Sequence, residues 1–321
     1  MNAKRRIYNI VYVVACLLLA GAMALMVYRD RQEKNAYTSA VRELQAEVKP
    51  YEKELEALES ELDSLEAEGS VSSDAAAIMA GFTVTGVEDL SYIREQAEAY
   101  NFSPVLVIDC TMDLSLIGEI LEAAEEAWEI MLYAPEFTEE MNVDVLSVLS
   151  YLESLEREHS GIFFLRSDFS SSSNIQLLLN DGFIGYTLYN GKSPEAGLTE
   201  DGTVYFDYSY LSSTGVSASD RLAALYTNRS SMIFVFDMES IHSGTLTEAD
   251  VTSLFDTLQE YAAYDDCSFS TVADVVEDII EIGEKEAARQ TAYEERAAKI
   301  QERVDELTEI ISDIYDRIME Y

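Results

Sequence analysis

The stretch from Gly161 to Tyr189, GIFFLRSDFSSSSNIQLLLNDGFIGYTLY, restricts the fold more than any other. Its apolar run, Ile162 to Leu165, is short enough for a buried strand and carries Arg166 at its C-terminal end. Ser170 to Ser173 form a polar loop, with Ser173 or Asn174 as candidate N-cap. Ile175, Leu177, Leu178 and Leu179 suit a short buried helix. Asn180, Asp181 and Gly182 stop it, and Phe183 to Leu188 begin a second strand. A strand, a loop, a helix and a strand in that order build parallel sheets or barrels. The functional face of such folds lies at the strand C-termini, where Arg166 is expected.

The same alternation runs through residues 76–282. Strands are expected at Phe82–Val84, Val105–Ile108, Ile130–Tyr133, Ile162–Leu165, Phe183–Leu188, Val204–Phe206, Met232–Phe236 and Ser268–Thr271. Helices are expected at Leu90–Tyr100, Leu116–Ala127, Val143–His159, Ile175–Leu179, Ala218–Tyr226, Thr247–Ala263 and Val272–Ile282. Short strands alternating with helices argue an α/β fold, a (β/α) barrel rather than an open sheet. Thr247 with Asp250 resembles a capping box with Asp in the Glu position.

Charge removes whole classes of partner. The chain of 321 residues has 21 Lys and Arg against 61 Asp and Glu, a formal charge of -40. Such a surface repels phosphate backbones, so no nucleic-acid partner is expected. Of the three cysteines, Cys16 sits in an apolar N-terminal run, and Cys110 and Cys267 read as buried small hydrophobes. Neither a CxxC nor a Cys/His cluster is present, which leaves a zinc site without support.

The flanks of this region are of another kind. Residues 1–6 contain Lys4, Arg5 and Arg6, and 7–28 are apolar and uncharged. As a helix, 7–28 spans roughly 33 Å, enough for a bilayer core. The basic start puts 1–6 in the cytoplasm and the bulk of the chain outside, in a single-pass cell-membrane protein. Small-residue cleavage sites around Ala20–Ala24 lie inside the apolar run, which favours an uncleaved anchor over a signal peptide. Residues 29–68 then carry a heptad seam, Tyr37, Val41, Leu44, Val48, Tyr51, Leu55, Leu58, Leu62 and Leu65. Pro50 is expected to kink or split that helix. Residues 284–321 carry a second seam, Tyr293, Ala297, Ile300, Val304, Leu307, Ile311, Ile314, Ile318 and Tyr321. The acids of 52–68 oppose Lys285, Arg289, Arg296, Lys299 and Arg303 only if the two helices pair antiparallel, so an intrachain coiled-coil stalk is expected.

Four places resemble the polysaccharide deacetylase family, the NodB-homology domain. EQAEAYNFSPVLVI at 95–108 resembles its helix, turn and second strand, and AWEIMLY at 127–133 its GHEIGNH segment. FLR at 164–166 with the Ser-rich loop after it resembles its FRPPYG segment, LNDGF at 179–183 its LKELGY segment, and SMIFVFD at 231–237 its sIVLLHD strand, followed by FSTVAD at 269–274. The resemblance implies a distorted barrel of seven β/α units over 76–282. It also implies a divalent metal held by an Asp and two His, with a second Asp as base and a further His as acid, hydrolysing acetyl groups on sugars.

Residue by residue, the chain departs from that chemistry. Val84 and Thr85 stand where the two Asp belong, Tyr133 and Phe137 where the metal His belong, and Phe236 where the late His belongs. Arg166 and Asp237 match the family; there the Arg orients the catalytic Asp. Only two His exist, His159 on the far side and His242 in a loop on the near side. Aromatic carbons cannot ligate a metal. No metal site and no cofactor are therefore expected, and no catalytic residue beyond the remnants Arg166 and Asp237. Tyr133, Phe137, Phe236, Arg166 and His242 form a candidate ligand-binding set at the barrel mouth, with Tyr205, Tyr208 and Tyr210 able to rim a groove. The expected function is a catalytically inactive, membrane-anchored deacetylase-like protein that binds cell-envelope glycan or a protein partner. The alternatives are an active glycan deacetylase whose divalent metal site is rearranged, and a cell-surface scaffold.

Overall fold

The structure, a computed structural model, describes residues 2–66, 73, 75–134, 141–165, 172–189, 194–212 and 218–320. The chain divides into two compact units, Met1–Gly69 with Arg289–Tyr321, and Ser70–Ala288.

The first unit begins with helix α1, Asn2–Glu66. It continues through Pro50 without ending. Leu44 and Val48, within the two turns before the proline, are buried against Ile314, with Tyr51, Ile310, Ile311 and Ile318 around them. That packing offsets the backbone hydrogen bond the proline removes. Arg296 pairs with Glu61 at 2.6 Å, Arg303 with Glu54 at 2.9 Å and Arg317 with Glu47 at 3.6 Å. Partner numbers fall on one helix as they rise on the other. These pairs are exposed and screened by solvent, so the apolar contacts dominate. Among the described residues, no helix is long and apolar enough to cross a membrane. Within the expected span at 7–28, the side chains of 7–18 and 20 lie outside the described residues.

The second unit opens with β1, Ala76–Thr83, α2, Asp89–Tyr100, β2, Pro104–Asp109, and α3, Leu114–Ala123. It continues through β3, Glu129–Ala134, α4, Asn142–Ser154, β4, Ile162–Leu165, α5, Ser172–Asn180, and β5, Gly185–Leu188. Then come β6, Ala196–Leu198, β7, Val204–Leu211, α6, Ala218–Asn228, and β8, Ser231–Asp237. Last are α7, Met238–His242, α8, Glu248–Ala262, β9, Cys267–Phe269, and α9, Val272–Glu320.

Seven parallel strands close a ring, β1–β2–β3–β4–β5–β7–β8 and back to β1. The ring is distorted at one seam. β2 pairs with the Ala80–Thr83 end of β1, whereas β9 takes the Ala76–Ile78 end. β6 adds to β7 antiparallel. Side chains alternate between two cores, as the two-residue strand period requires. Met79, Val107, Met131, Phe164, Phe206 and Val235 fill the lumen. Ile78, Phe82, Leu106, Leu132, Phe163 and Phe236 face outward under the helices. Strands buried on both faces are apolar at nearly every position. Gly185 has a specific role: a Cβ there would lie 2.3 Å from the carbonyl oxygen of Val204, so β5 and β7 approach this closely only without a side chain.

The Thr247–Asp250 capping box is present at the start of α8. Cys110 and Cys267 are free and buried, and burial pushes their thiols up to about 12 and about 11. The expected helix end near Ile282 is corrected: α9 runs on through Gly283, where Leu198 packs so close that a Cβ would lie 2.2 Å from its Cδ1. The first turns of α9 place Val272, Val275, Val276 and Ile279 against the lumen residues, the spacing of one helix face.

Glu129 holds that helix in place. Its carboxylate accepts from the Val272 amide at 2.6 Å and the Ala273 amide at 2.9 Å, capping the N-terminus of α9. Burial raises its pKa above the ordinary value, and the two amide bonds oppose that only in part. The folded state therefore holds the proton more tightly than the unfolded state. The associated stability is full below the unfolded value near 4.5 and is lost as pH rises through the folded value. We expect the stability of the wild type relative to Glu129→Gln to fall as pH is raised from about 4.5 towards neutrality, read from urea midpoints at each pH.

Candidate functional site at the barrel mouth

The strand period decides which side chains reach the mouth. On β1, Ala77 and Met79 line the lumen, which brings Thr83 to its C-terminal rim. Val105 and Val107 do the same for Asp109 on β2, and Ile233 and Val235 for Asp237 on β8. Because β8, β1 and β2 are neighbours, Asp237, Thr83 and Asp109 form one polar arc. The Thr83 hydroxyl donates to Asp237 Oδ1 at 3.1 Å, and the Ser240 hydroxyl donates to Oδ2 at 2.5 Å. Asp109 Oδ1 accepts from the amide and hydroxyl of Thr111, at 2.8 Å and 2.7 Å. Both carboxylates are thus engaged by hydroxyls of their own rim.

The opposite arc is aromatic. Tyr133, at the end of β3, is 5% exposed, and its ring lies 5.4 Å from that of Phe164. Phe164 meets Tyr208 edge-on at 5.0 Å and Tyr210 in a stacked contact at 6.2 Å. Tyr189, just past β5, lies 5.7 Å from Tyr208 and is 48% exposed. Tyr208 and Tyr210 share the lumen face of β7, whereas Tyr205 points the other way, towards Gly197 of β6.

Beside the polar arc stands a further carboxylate. Asp89, at the start of α2, is fully buried. It accepts from the Thr85 amide at 2.7 Å, the Thr85 hydroxyl at 2.9 Å and the Gly86 amide at 3.2 Å. Its other oxygen, Oδ1, meets Nε2 of His242. The imidazole side chain is 49% exposed. His242 is therefore not in a loop, as the sequence suggests, but is the last residue of α7, held by a buried acid. His159 stays out of the site: its Nδ1 accepts from the Gly161 amide at 3.0 Å, and burial lowers its pKa.

Phe236 requires a correction. It faces the helices, not the mouth, and is fully buried between Phe82, at 5.2 Å, and Phe255, at 4.6 Å. One residue along, Asp237 faces the lumen, so the strand period forbids both from reaching a ligand there. Arg166 and Phe137 lie outside the described residues. Val84 is buried in the outer core, and Thr85 serves Asp89. The site residues brought together are thus Asp237 and Tyr133, on opposite arcs, with His242 on the rim. Sequence reasoning missed Asp89 and Tyr189. Asp in a first helical turn carries a local signal only for the helix dipole, and Tyr189 lies just beyond a strand end.

The divalent metal of the deacetylase family does not fit this donor set. Among the described residues, no three His, Cys, Asp or Glu side chains stand together to hold an ion. Tyr133 is packed against Phe164, and the rim imidazole points at Asp89. The described side chains of the mouth therefore give a metal-bound step no ligands to start from.

No family model matches the chain, and no curated protein does. Several solved structures are similar to it, among them the following two. One, from Mycobacterium smegmatis, is assigned as a polysaccharide deacetylase; identity is 11%, TM-score 0.44, covering 66% of this chain and 93% of that one. Another, from Bordetella bronchiseptica, is assigned as a polysaccharide deacetylase involved in O-antigen biosynthesis; identity is 11%, TM-score 0.36, covering 65% and 91%. The barrel is a closed parallel ring, and its mouth pairs a hydroxyl-capped carboxylate arc with an aromatic arc.

Proposed function

We propose that this protein is a membrane-anchored, extracytoplasmic deacetylase-like protein that binds cell-envelope glycan without hydrolysing it. Residues 7–28 anchor it, with 1–6 on the cytoplasmic side. Residues 29–68 and 284–321 form an antiparallel coiled-coil stalk, a reading supported by the ion pairs and apolar contacts between α1 and α9. Half-exposed Tyr189 and partly exposed Tyr210, backed by the buried rings of Tyr133, Phe164 and Tyr208, carry the reading. Sugar rings present C–H faces that stack on such side chains, and the neighbouring hydroxyls and carboxylates orient them.

One observation favours a second reading, hydrolysis. The Asp89–His242 pair orients an accessible imidazole on the rim, the arrangement a general base requires. Two assays on the full-length protein in detergent separate the readings. Titration with chitooligosaccharides and soluble peptidoglycan fragments is expected to show binding, weakened up to about tenfold by Tyr189→Ala or Tyr210→Ala. Incubation of acetylated glycan with Zn2+, Co2+ or Mn2+ is expected to release no acetate. Acetate release that disappears in His242→Ala overturns the first reading in favour of the second.

A further inference from the structure

A buried ion pair lies behind the aromatic arc, outside the barrel wall. Asp207 occupies an outward-facing position of β7 and is fully buried. Its Oδ1 accepts from Nη2 of Arg221, on α6, at 2.5 Å, and from the Tyr208 amide at 2.7 Å. Arg221 is itself 7% exposed. Its guanidinium carbon lies 4.6 Å from the centre of the Tyr189 ring. One carboxylate thus fixes the backbone of Tyr208 and a guanidinium that lies over Tyr189, and the two tyrosine rings meet at 5.7 Å.

Stability alone does not account for this arrangement. A buried pair gains little over apolar side chains of the same volume, because desolvation offsets the attraction. A planar guanidinium does something an aliphatic chain cannot: it supports an aromatic face while keeping its carboxylate contact. Tyr189 needs such support. It lies just past the end of β5, and its side chain is half exposed. A ring in that place has two free torsions unless something fixes them, and a stacking ligand must then bear the ordering cost.

We propose that Asp207 and Arg221 are positioning residues that hold the Tyr189 ring at the barrel mouth, so that half-exposed Tyr189, backed by the buried Tyr208, forms the sugar-stacking subsite. The subsite rests on the glycan-binding reading above, whereas the positioning of the ring does not. The ligand class that fits is a sugar ring presenting an apolar C–H face. The guanidinium acts only through Tyr189.

The test places a fluorotyrosine at position 189 of the full-length protein and follows it by fluorine NMR, alongside chitooligosaccharide titration and thermal unfolding. The wild type is expected to give one sharp resonance displaced from that of the urea-unfolded protein. In Arg221→Lys, which keeps the charge but loses the planar face, the resonance is expected to move towards the unfolded position. Binding is then expected to weaken roughly five- to tenfold in a protein that remains folded. An unmoved resonance with unchanged affinity, whatever the melting temperature, overturns the proposal. A moved resonance in a protein whose wild type binds no glycan upholds the positioning role and sinks the glycan-binding reading. Should the Arg221 variant fail to fold, Asp207→Asn, which keeps the side-chain volume, makes the same test with the same outcomes.

Discussion

Phe236→Ala is expected to destabilise the barrel by about 3–5 kcal/mol, the cost of removing a large aromatic side chain from a closed core. Phe236 stacks on Phe82 with an interplanar angle of 22° and on Phe255 with one of 11°. Phe255 in turn stacks on Phe102 at 5.2 Å and on Tyr100 at 4.9 Å. Removing the middle ring therefore leaves a cavity whose walls are themselves fixed by stacking and relax little. At roughly 2–4 °C per kcal/mol for a domain of this size, the melting temperature falls by about 10 °C. Glycan affinity of the folded fraction is expected to be unchanged. A variant that melts like the wild type yet loses binding would place this ring at the mouth and contradict the outward orientation.

Asp89→Ala is expected to cost about 3 kcal/mol, because hydrogen bonds to a buried charge are among the stronger ones. The substitution removes the acceptor of two backbone amides, Thr85 and Gly86, in the turn that leads into α2. It also releases His242, so the β1–α2 turn and α7 lose their direct link. Asp89→Asn keeps the shape but offers one acceptor in place of two, and a loss of about 1–2 kcal/mol follows. His242→Gln leaves three donors on the carboxylate and is expected to cost least. Urea midpoints at constant slope give the order; a smaller loss for Asp89→Ala than for His242→Gln would show that the amides find other acceptors.

Much of the architecture is legible because both core layers are apolar. The run Ile162 to Leu165 reads as a strand for the reason it forms one: every side chain is buried, on one face or the other. That same property hides which face each residue takes. Met232 to Phe236 is apolar throughout, so nothing local says that Phe234 and Phe236 look outward while Ile233 and Val235 look inward. The beginning of β1, Ala76 to Ala80, is rich in Ala and Met and helix-compatible by propensity. It becomes a strand through its partners β8 and β9. β6 is three residues long and contains a glycine, too little for a periodic signal. The contact between Asp89 and His242 joins positions 153 apart, and no pattern in either neighbourhood announces it. Tyr133, by contrast, can be read as a mouth residue from its own neighbourhood, because it lies near the end of a strand marked by the change in polarity that follows.

Because β1 takes its neighbours from both ends of the domain, ring closure waits for the ribosome. One flank of β1 needs β8, and the lower part of the other needs β9. Until Ser231 to Phe269 has been synthesised, the backbone groups beside Ile78 and Met79 have no strand to bond. A nascent chain in that state exposes a greasy, template-like edge for seconds at ordinary translation speeds. Pairings this distant in sequence also form slowly once they can. The first strand of the domain is therefore the last to have its backbone groups satisfied.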